Sequence, residues 1–400
     1  MKMILTLCLM VAFAVVLFGC SGGLIAKDKP DTQKPPETKS PQPKTFIRGQ
    51  EHYNKDEEDT PLAGLRWLAR HQNPDGSWGA KSFQNQCKDA KCSGTGDEQL
   101  NIGLTGLAMC AFTEAGYTTS SRDIYDDICF GDVLRKAAIY LVAIQISDGS
   151  FGGVKAGKFI YNQAIATLAL TDLYILTRDR PSGILFKEPV ERAVKFLLAA
   201  QNPNSGWRYQ PRDGQSDTSV TGWVAMALKT AEHAGIPIPP EAFAGIKSFL
   251  DDVTDPNTGK VGYNVVGSVY IRNTVVQPNL TAIGLMTRKF IDKNYDGPLI
   301  RLGLGHLNAS IPVWDTSKPG IIDFDYWFFG SYCLNQYDGP SGPDWKLWSE
   351  KIEDVLINNQ RLKVDGCCNG SWDPIDRWSS EGGRIYSTAI NTINIGCHYH

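Results

Sequence analysis

The chain has 400 residues, 42% hydrophobic, 21% charged and 10% aromatic, with a formal net charge of −3. That composition is ordinary for a globular protein with a large core. A charge so near balance leaves no polybasic footprint, which argues against nucleic acid as a partner.

The first elements are not part of the fold. Lys2 is followed by an apolar run from Met3 to Phe18 and then by "LFGC" with small residues after it. A charged start, an apolar stretch and a small-residue site make a secretory signal over residues 1–19. "LFGC" resembles the bacterial lipobox, which implies lipid modification at Cys20. The alternative is an uncleaved anchor or a simple signal. On either reading the chain is exported, and with a lipidated Cys20 it is a membrane-anchored lipoprotein on the periplasmic side of a bacterial envelope. Residues 20–60 contain "KDKPDTQKPPETKSPQPK" and almost no apolar side chains, so they read as a disordered tether. Eight cysteines remain after Cys8 and Cys20 are set aside, an even number that permits disulfides, with Cys87 and Cys92 the best local pair. No C-x-x-C pair stands beside a second one and the histidines are scattered, so the sequence implies no metal and no cofactor.

From residue 61 onward a unit recurs. "LRWLARHQNPDGSWG" at 65, "AIYLVAIQISDGSFG" at 138 and "AVKFLLAAQNPNSGW" at 193 each run an amphipathic helix to a glutamine. A turn then delivers an aromatic: Gln72, Gly76, Trp78; Gln145, Gly149, Phe151; Gln201 and Trp207, with Ser205 at the glycine place. A degenerate copy begins at 245, a weak one at 299, and the helix from about Trp345 to Gln360 reaches "NGSWD" at 369. Between the turns lie helices rich in small residues. Val220, Trp223, Val224, Ala227, Leu228 and Ala231 keep helical spacing, and Gly235 ends that helix. Comparable starts fall near Glu98, Tyr161, Thr274, Asp323 and Arg384. Twelve helices in residues 61–400 allow about 28 residues for each with its connection. The fold class is all-α: six outer/inner helix pairs closing into a single (α/α)6 toroid, with an open solenoid as the alternative. No β-hairpin signal competes.

The Gln-x-x-x-Gly-x-aromatic units resemble the QW repeats of the terpenoid cyclase and protein prenyltransferase superfamily. "NPNSGWRYQPRDGQSDTSVTGWVAMALKTAEHAG" and "GSWDPIDRWSSEGGRIYSTA" look like bacterial prenyltransferase and squalene oxidase repeat proteins. The resemblance implies that Gln72, Trp78, Gln145, Phe151, Gln201 and Trp207 mark packing at corners rather than chemistry. It also implies three chemistries to test. The cyclase acid motif D-x-D-D-T-A falls on residues 214–219, where Asp217 and Thr218 match but the protonating aspartate becomes Ser216. The prenyltransferase zinc triad falls on Asp323, Asp325 and Ser387, with two of its three ligands replaced. The thioester motif C-G-E-Q falls on residues 96–99, and Gly96 cannot form a thioester.

What remains is a rim where inner-helix N-termini gather, mildly positive and suited to an anion or a reactive carboxylate. Asp217, Asp323 and Asp325 are the candidate catalytic acids, set against the plainer reading that they cap their own helices. Trp207, Tyr326, Trp327, Trp372, Arg384 and Tyr386 are the candidate ligand contacts, for an isoprenoid, a glycan or a peptide, set against a role in the core. Asp373 and Asp376 could join Asp217 as a pair for glycan cleavage. The leading expectation is a ligand- or partner-binding toroid without the chemistry of its relatives. The alternative is an enzyme acting on an isoprenoid or polysaccharide through the rim carboxylates.

Overall fold

Helical periodicity in the sequence becomes twelve α-helices among the described residues of the computed structural model, which are 59–396 except 89, 181–182 and 270–275. In chain order they are α1 (Thr60–Arg70), α2 (Asn101–Glu114), α3 (Phe130–Ile144), α4 (Phe159–Thr177), α5 (Ile184–Ala200) and α6 (Thr218–His233). Then follow α7 (Pro240–Val253), α8 (Asn279–Ile291), α9 (Pro298–Asn308), α10 (Phe324–Asp338), α11 (Pro343–Ile357) and α12 (Ser379–Gly396). The signal, Cys20 and nearly all of the tether lie outside the described residues.

Odd-numbered helices are amphipathic and form the outer ring; even-numbered helices form the inner one. The division follows from composition. In α2 every residue from Gly103 to Thr113 is buried, as expected of a helix covered on all sides, whereas α3 buries one stripe. Small residues let the inner helices approach closely. A Cβ on Gly106 would lie 2.9 Å from the α4 backbone, and one on Gly222 would lie 2.3 Å from Ile283. Inner helices pack in sequence from α2 to α12, and α12 packs back on α2, so the ring closes and the open solenoid is excluded.

The corners supply the second closure. Each glutamine reaches the next outer helix: Gln72 Nε2 donates to Val133 O, Gln145 to Pro189 O, Gln201 to Ala242 O, each at 2.9 Å. Gln360 does the same to Thr60 O at 2.8 Å, joining the last outer helix to the first. The aromatic turns inward. Trp78, Trp207 and Trp372 donate their indole N–H to Leu68, Leu197 and Leu356 carbonyls at the ends of their own outer helices. Their backbone N–H groups reach Thr105, Thr221 and Thr388 on the following inner helices.

Three details refine the sequence expectation. In the third corner Asn204 takes the left-handed conformation at φ 53°, one residue before the place where Gly76 (φ 94°) and Gly149 (φ 92°) stand, because asparagine tolerates that region without help from Ser205. Helix α8 begins at Asn279, after Pro278, and the expected start near Thr274 lies outside the described residues. A short antiparallel hairpin, β1 (Ile124–Tyr125) with β2 (Ile128–Cys129), turns through Asp126 and Asp127, both at positive φ. Asp126 there accepts from Arg66 and Arg70 of α1.

Candidate functional site

All six inner helices line one central cavity of about 520 Å³, opening at their N-terminal rim. Leu104 and Leu107 of α2, Ile165 of α4 and Trp223 of α6 form apolar wall. Trp223 is held flat against Phe328, with ring centroids 5.2 Å apart and planes 13° from parallel. Nearer the rim the lining turns polar: Tyr161, Tyr209, Tyr263, Asn279, Asp325, Arg377, Trp378 and Tyr386. Lys158 and Glu381 form an ion pair at the mouth.

The first candidate acid, Asp217, caps α6: its Oδ1 accepts from Val220 N at 2.8 Å. Its Oδ2 accepts from Tyr263 Oη at 3.0 Å, and Tyr263 in turn shares a 2.6 Å hydrogen bond with Tyr209. Arg208 lies 4.0 Å from the carboxylate with its guanidinium over both tyrosine rings. Burial raises Asp217 to about 6 against the hydrogen bonds that favour its charged form. It lies behind the tyrosines rather than on the cavity wall. Ser216, at the place of the cyclase acid, is held in the corner by Ser205 Oγ at 2.9 Å and Gly206 N at 3.1 Å.

The second cluster is tighter. Asp323 caps α10 through Tyr326 N at 3.0 Å and pairs with Arg377 at 3.3 Å. Asp325, two residues on, lines the cavity and accepts from Asn279 Nδ2 of α8 at 2.8 Å. Asp376 accepts from Phe324 N and from Tyr386 Oη, both at 3.1 Å. Burial, then the negative charge of Asp323, pushes both Asp325 and Asp376 up to about 7, while burial also raises Asp323 against the pull of Arg377. Two groups near 7 beside a third carboxyl titrate as a coupled set. The sequence grouped Asp376 with Asp217; the fold groups it with Asp323 and Asp325, because the loop before α12 packs on the start of α10. Asp373 is held apart by Arg361 and Arg384.

Of the six expected ligand contacts, only Tyr386 faces the cavity. Trp207 and Trp372 are the corner residues described above. Tyr326 points outward, its hydroxyl on Ser310 O at 3.0 Å and its ring edge-on to Trp348. Trp327 is buried against Trp314 and Phe324. Arg384 is buried and satisfied by Asp373, Ser371 and the Ser93 carbonyl. Their large apolar surfaces are spent on packing between rings. Tyr161, Trp223, Tyr263 and Asn279 line the cavity in their place, and nothing in their spacing separates them from core residues. Of the zinc triad positions, Asp323 is engaged with Arg377 and Ser387 bonds Gly383 O, and with Asp325 the three offer oxygen donors alone, which does not suit zinc.

A second gathering revises the expectation of no metal set. His71, Cys87, Cys92 and Cys367 bring one nitrogen and three sulfurs within 4.8 Å of one another. The thiols are free in the structure; Cys87 and Cys92, expected to pair, instead share this cluster with Cys367.

No family model matches the chain. A curated relative, drimenyl diphosphate synthase of Streptomyces showdoensis, is 28% identical over 148 residues, 37% of this chain and 22% of the relative. The chain thus aligns with about a fifth of that protein's length. The type II terpene cyclase MstE from Scytonema superposes with a TM-score of 0.52 at 14% identity, covering 85% of this chain and 96% of that one. A GH76 alpha-mannanase from Bacteroides thetaiotaomicron gives 0.52 at 12% identity, covering 85% and 96%. Closed inner ring, glutamine–aromatic corners and these likenesses agree on the fold: the chain is a closed α/α toroid, similar in architecture to the type II terpene cyclase and the mannanase.

Proposed function

We propose that the central cavity binds an elongated, largely apolar ligand of the isoprenoid class, its polar end toward the rim. The observation that carries this reading is the cavity itself. Its volume lies within the range of small-molecule sites, its depth is walled by Leu104, Leu107, Ile165 and Trp223, and its polar groups stand at one end. Drimenyl diphosphate synthase is named for an isoprenoid product and the Scytonema cyclase was captured with geranylgeranyl dihydroxybenzoate, which lends the reading support by analogy. The mannanase likeness supports a glycan instead, but the apolar depth favours the isoprenoid. Farnesol and geranylgeraniol are expected to quench tryptophan fluorescence at micromolar concentration, and Trp223→Leu to weaken binding at least tenfold. Saturable binding of mannose oligosaccharides in their place would overturn the assignment.

Asp325 favours a second reading, in which the toroid acts on its ligand by acid catalysis. The carboxyl faces the cavity and holds its proton up to about pH 7, so an acid is present near neutrality. Turnover would then fall as pH rises through 7, and Asp325→Asn would abolish it while leaving binding within a few-fold. Activity retained in that variant sinks the catalytic reading and leaves the binding one.

The chain is further proposed to be exported and anchored in a bacterial envelope membrane through a lipid on Cys20, on the strength of the apolar run and "LFGC". Palmitate labelling in the native host is expected to vanish in Cys20→Ala; label that persists would refute the anchor.

A further inference from the structure

The cavity leaves one cluster unused: His71, Cys87, Cys92 and Cys367 lie in the seam where the first helix pair meets the last. His71 caps the C-terminus of α1, Cys87 and Cys92 lie in the loop leading to α2, and Cys367 lies in the loop between α11 and α12. The His71 Nε2 atom is 3.3 Å from Cys367 Sγ, 3.6 Å from Cys87 Sγ and 3.7 Å from Cys92 Sγ. A tetrahedral zinc ion with ordinary Zn–S and Zn–N bonds sets its nitrogen and sulfur ligands about 3.6 Å apart and its sulfurs about 3.8 Å apart. The three nitrogen–sulfur separations match that geometry, and no two of the four atoms are more than 4.8 Å apart.

The imidazole is oriented for the task. Its Nδ1 lies 2.8 Å from the Trp67 carbonyl, which can only accept, so Nδ1 carries the proton and Nε2 turns its lone pair to the sulfurs. The ring is stacked on Trp67 at 4.1 Å and flanked by Phe83. Both ligand loops are tied down by arginine. Arg384 donates to the Ser93 carbonyl, next to Cys92, and Arg70 to the Asn369 carbonyl, two residues past Cys367. His71 and Cys92 are buried, and Cys87 and Cys367 half-buried. A disulfide would need two of these thiols and neither the third nor the histidine.

We propose that His71, Cys87, Cys92 and Cys367 form a structural Cys3His zinc site that clamps the toroid shut at its seam. With four protein ligands it is closed, leaving no position for substrate, and it is separate from the carboxylates of the cavity. Binding releases the thiol protons, forms three Zn–S bonds and one Zn–N bond, and joins positions 296 residues apart, as His71 and Cys367 are. A cross-link over so long a loop restricts the unfolded chain strongly, so the metal contributes to folding rather than to chemistry.

The test uses the full chain purified with reductant and without chelator. Elemental analysis is expected to find about one zinc per chain, and cobalt exchanged into the site should give the intense visible d–d and thiolate charge-transfer bands of tetrahedral cobalt. Cys367→Ser and His71→Gln are expected to lower the zinc content at least tenfold, with Cys129→Ser retaining it. Since the seam variants can also unfold, the decisive readings are made on the unaltered chain. Zinc absent after supply of the ion, cobalt bands of an octahedral site, or a Cys87–Cys92 disulfide found by non-reducing peptide mapping would each overturn the proposal.

Discussion

Trp207→Ala is expected to lower the free energy of unfolding by about 3–5 kcal/mol, the cost typical of truncating a buried tryptophan. The indole is fully buried and its N–H meets the Leu197 carbonyl at 2.8 Å, while its own backbone N–H is held by Thr221. Truncation empties the corner between α5, α6 and α7 and removes the Leu197 carbonyl's indole donor at once. Trp207→Phe keeps most of the apolar surface and should cost less, about 1–3 kcal/mol. Urea denaturation followed by circular dichroism measures both. A ligand contact would behave in the opposite way, with stability kept and affinity lost, and that outcome would return Trp207 to the binding site.

A fall in stability as pH rises is the second large effect expected, and it originates at the far end of the inner ring. Glu114 of α2 and Asp172 of α4 stand together there beside Cys110, with Tyr332 Oη 3.4 Å from Glu114 Oε1 and Cys110 Sγ 3.9 Å from Asp172 Oδ2. Part of the Glu114 stem reaches the surface, but its Oε2 is shielded from water, and burial pushes the carboxyl up to about 8. Burial and the neighbouring Glu114 raise Asp172 as well. The sign follows from which state holds the proton. Between about pH 4.5 and 8 the unfolded glutamic acid is ionised while the folded one keeps its proton, so each rise in pH favours unfolding. The penalty is absent below about 4.5 and complete above about 8, on the order of a few kcal/mol. Glu114→Gln should be close to neutral at pH 5 and more stable than the parent at pH 9, by thermal melts across that range. A melting temperature that stays flat or climbs from pH 5 to 9 in the parent would contradict this.

The toroid was legible from residues 61 to 396 because its signals are local. A glutamine, a left-handed turn residue and an aromatic within seven positions mark a corner. Helical spacing marks rods, and the density of small residues separates inner rods from outer. Even a defective corner keeps its wiring: in the fourth unit Val261 N bonds Thr281 Oγ1 just as Trp78 N bonds Thr105, though valine has replaced the aromatic. The site was legible only in part. Asp217 and Asp323 meet the criteria for acids at helix starts, and both do cap their helices; Asp325, two residues past Asp323, alone of the three faces the cavity.

By itself, then, the sequence determined the helix count, the alternation of rings and the corner chemistry, since turns and amphipathic faces are set by neighbours a few residues away. Only the tertiary structure decided which aromatics look inward, which carboxyls share a buried corner, and that His71 meets Cys367 across the seam. Those facts depend on how far each helix is rotated about its axis and on where a closed ring returns to its start. No spacing along the chain encodes a contact made by closure.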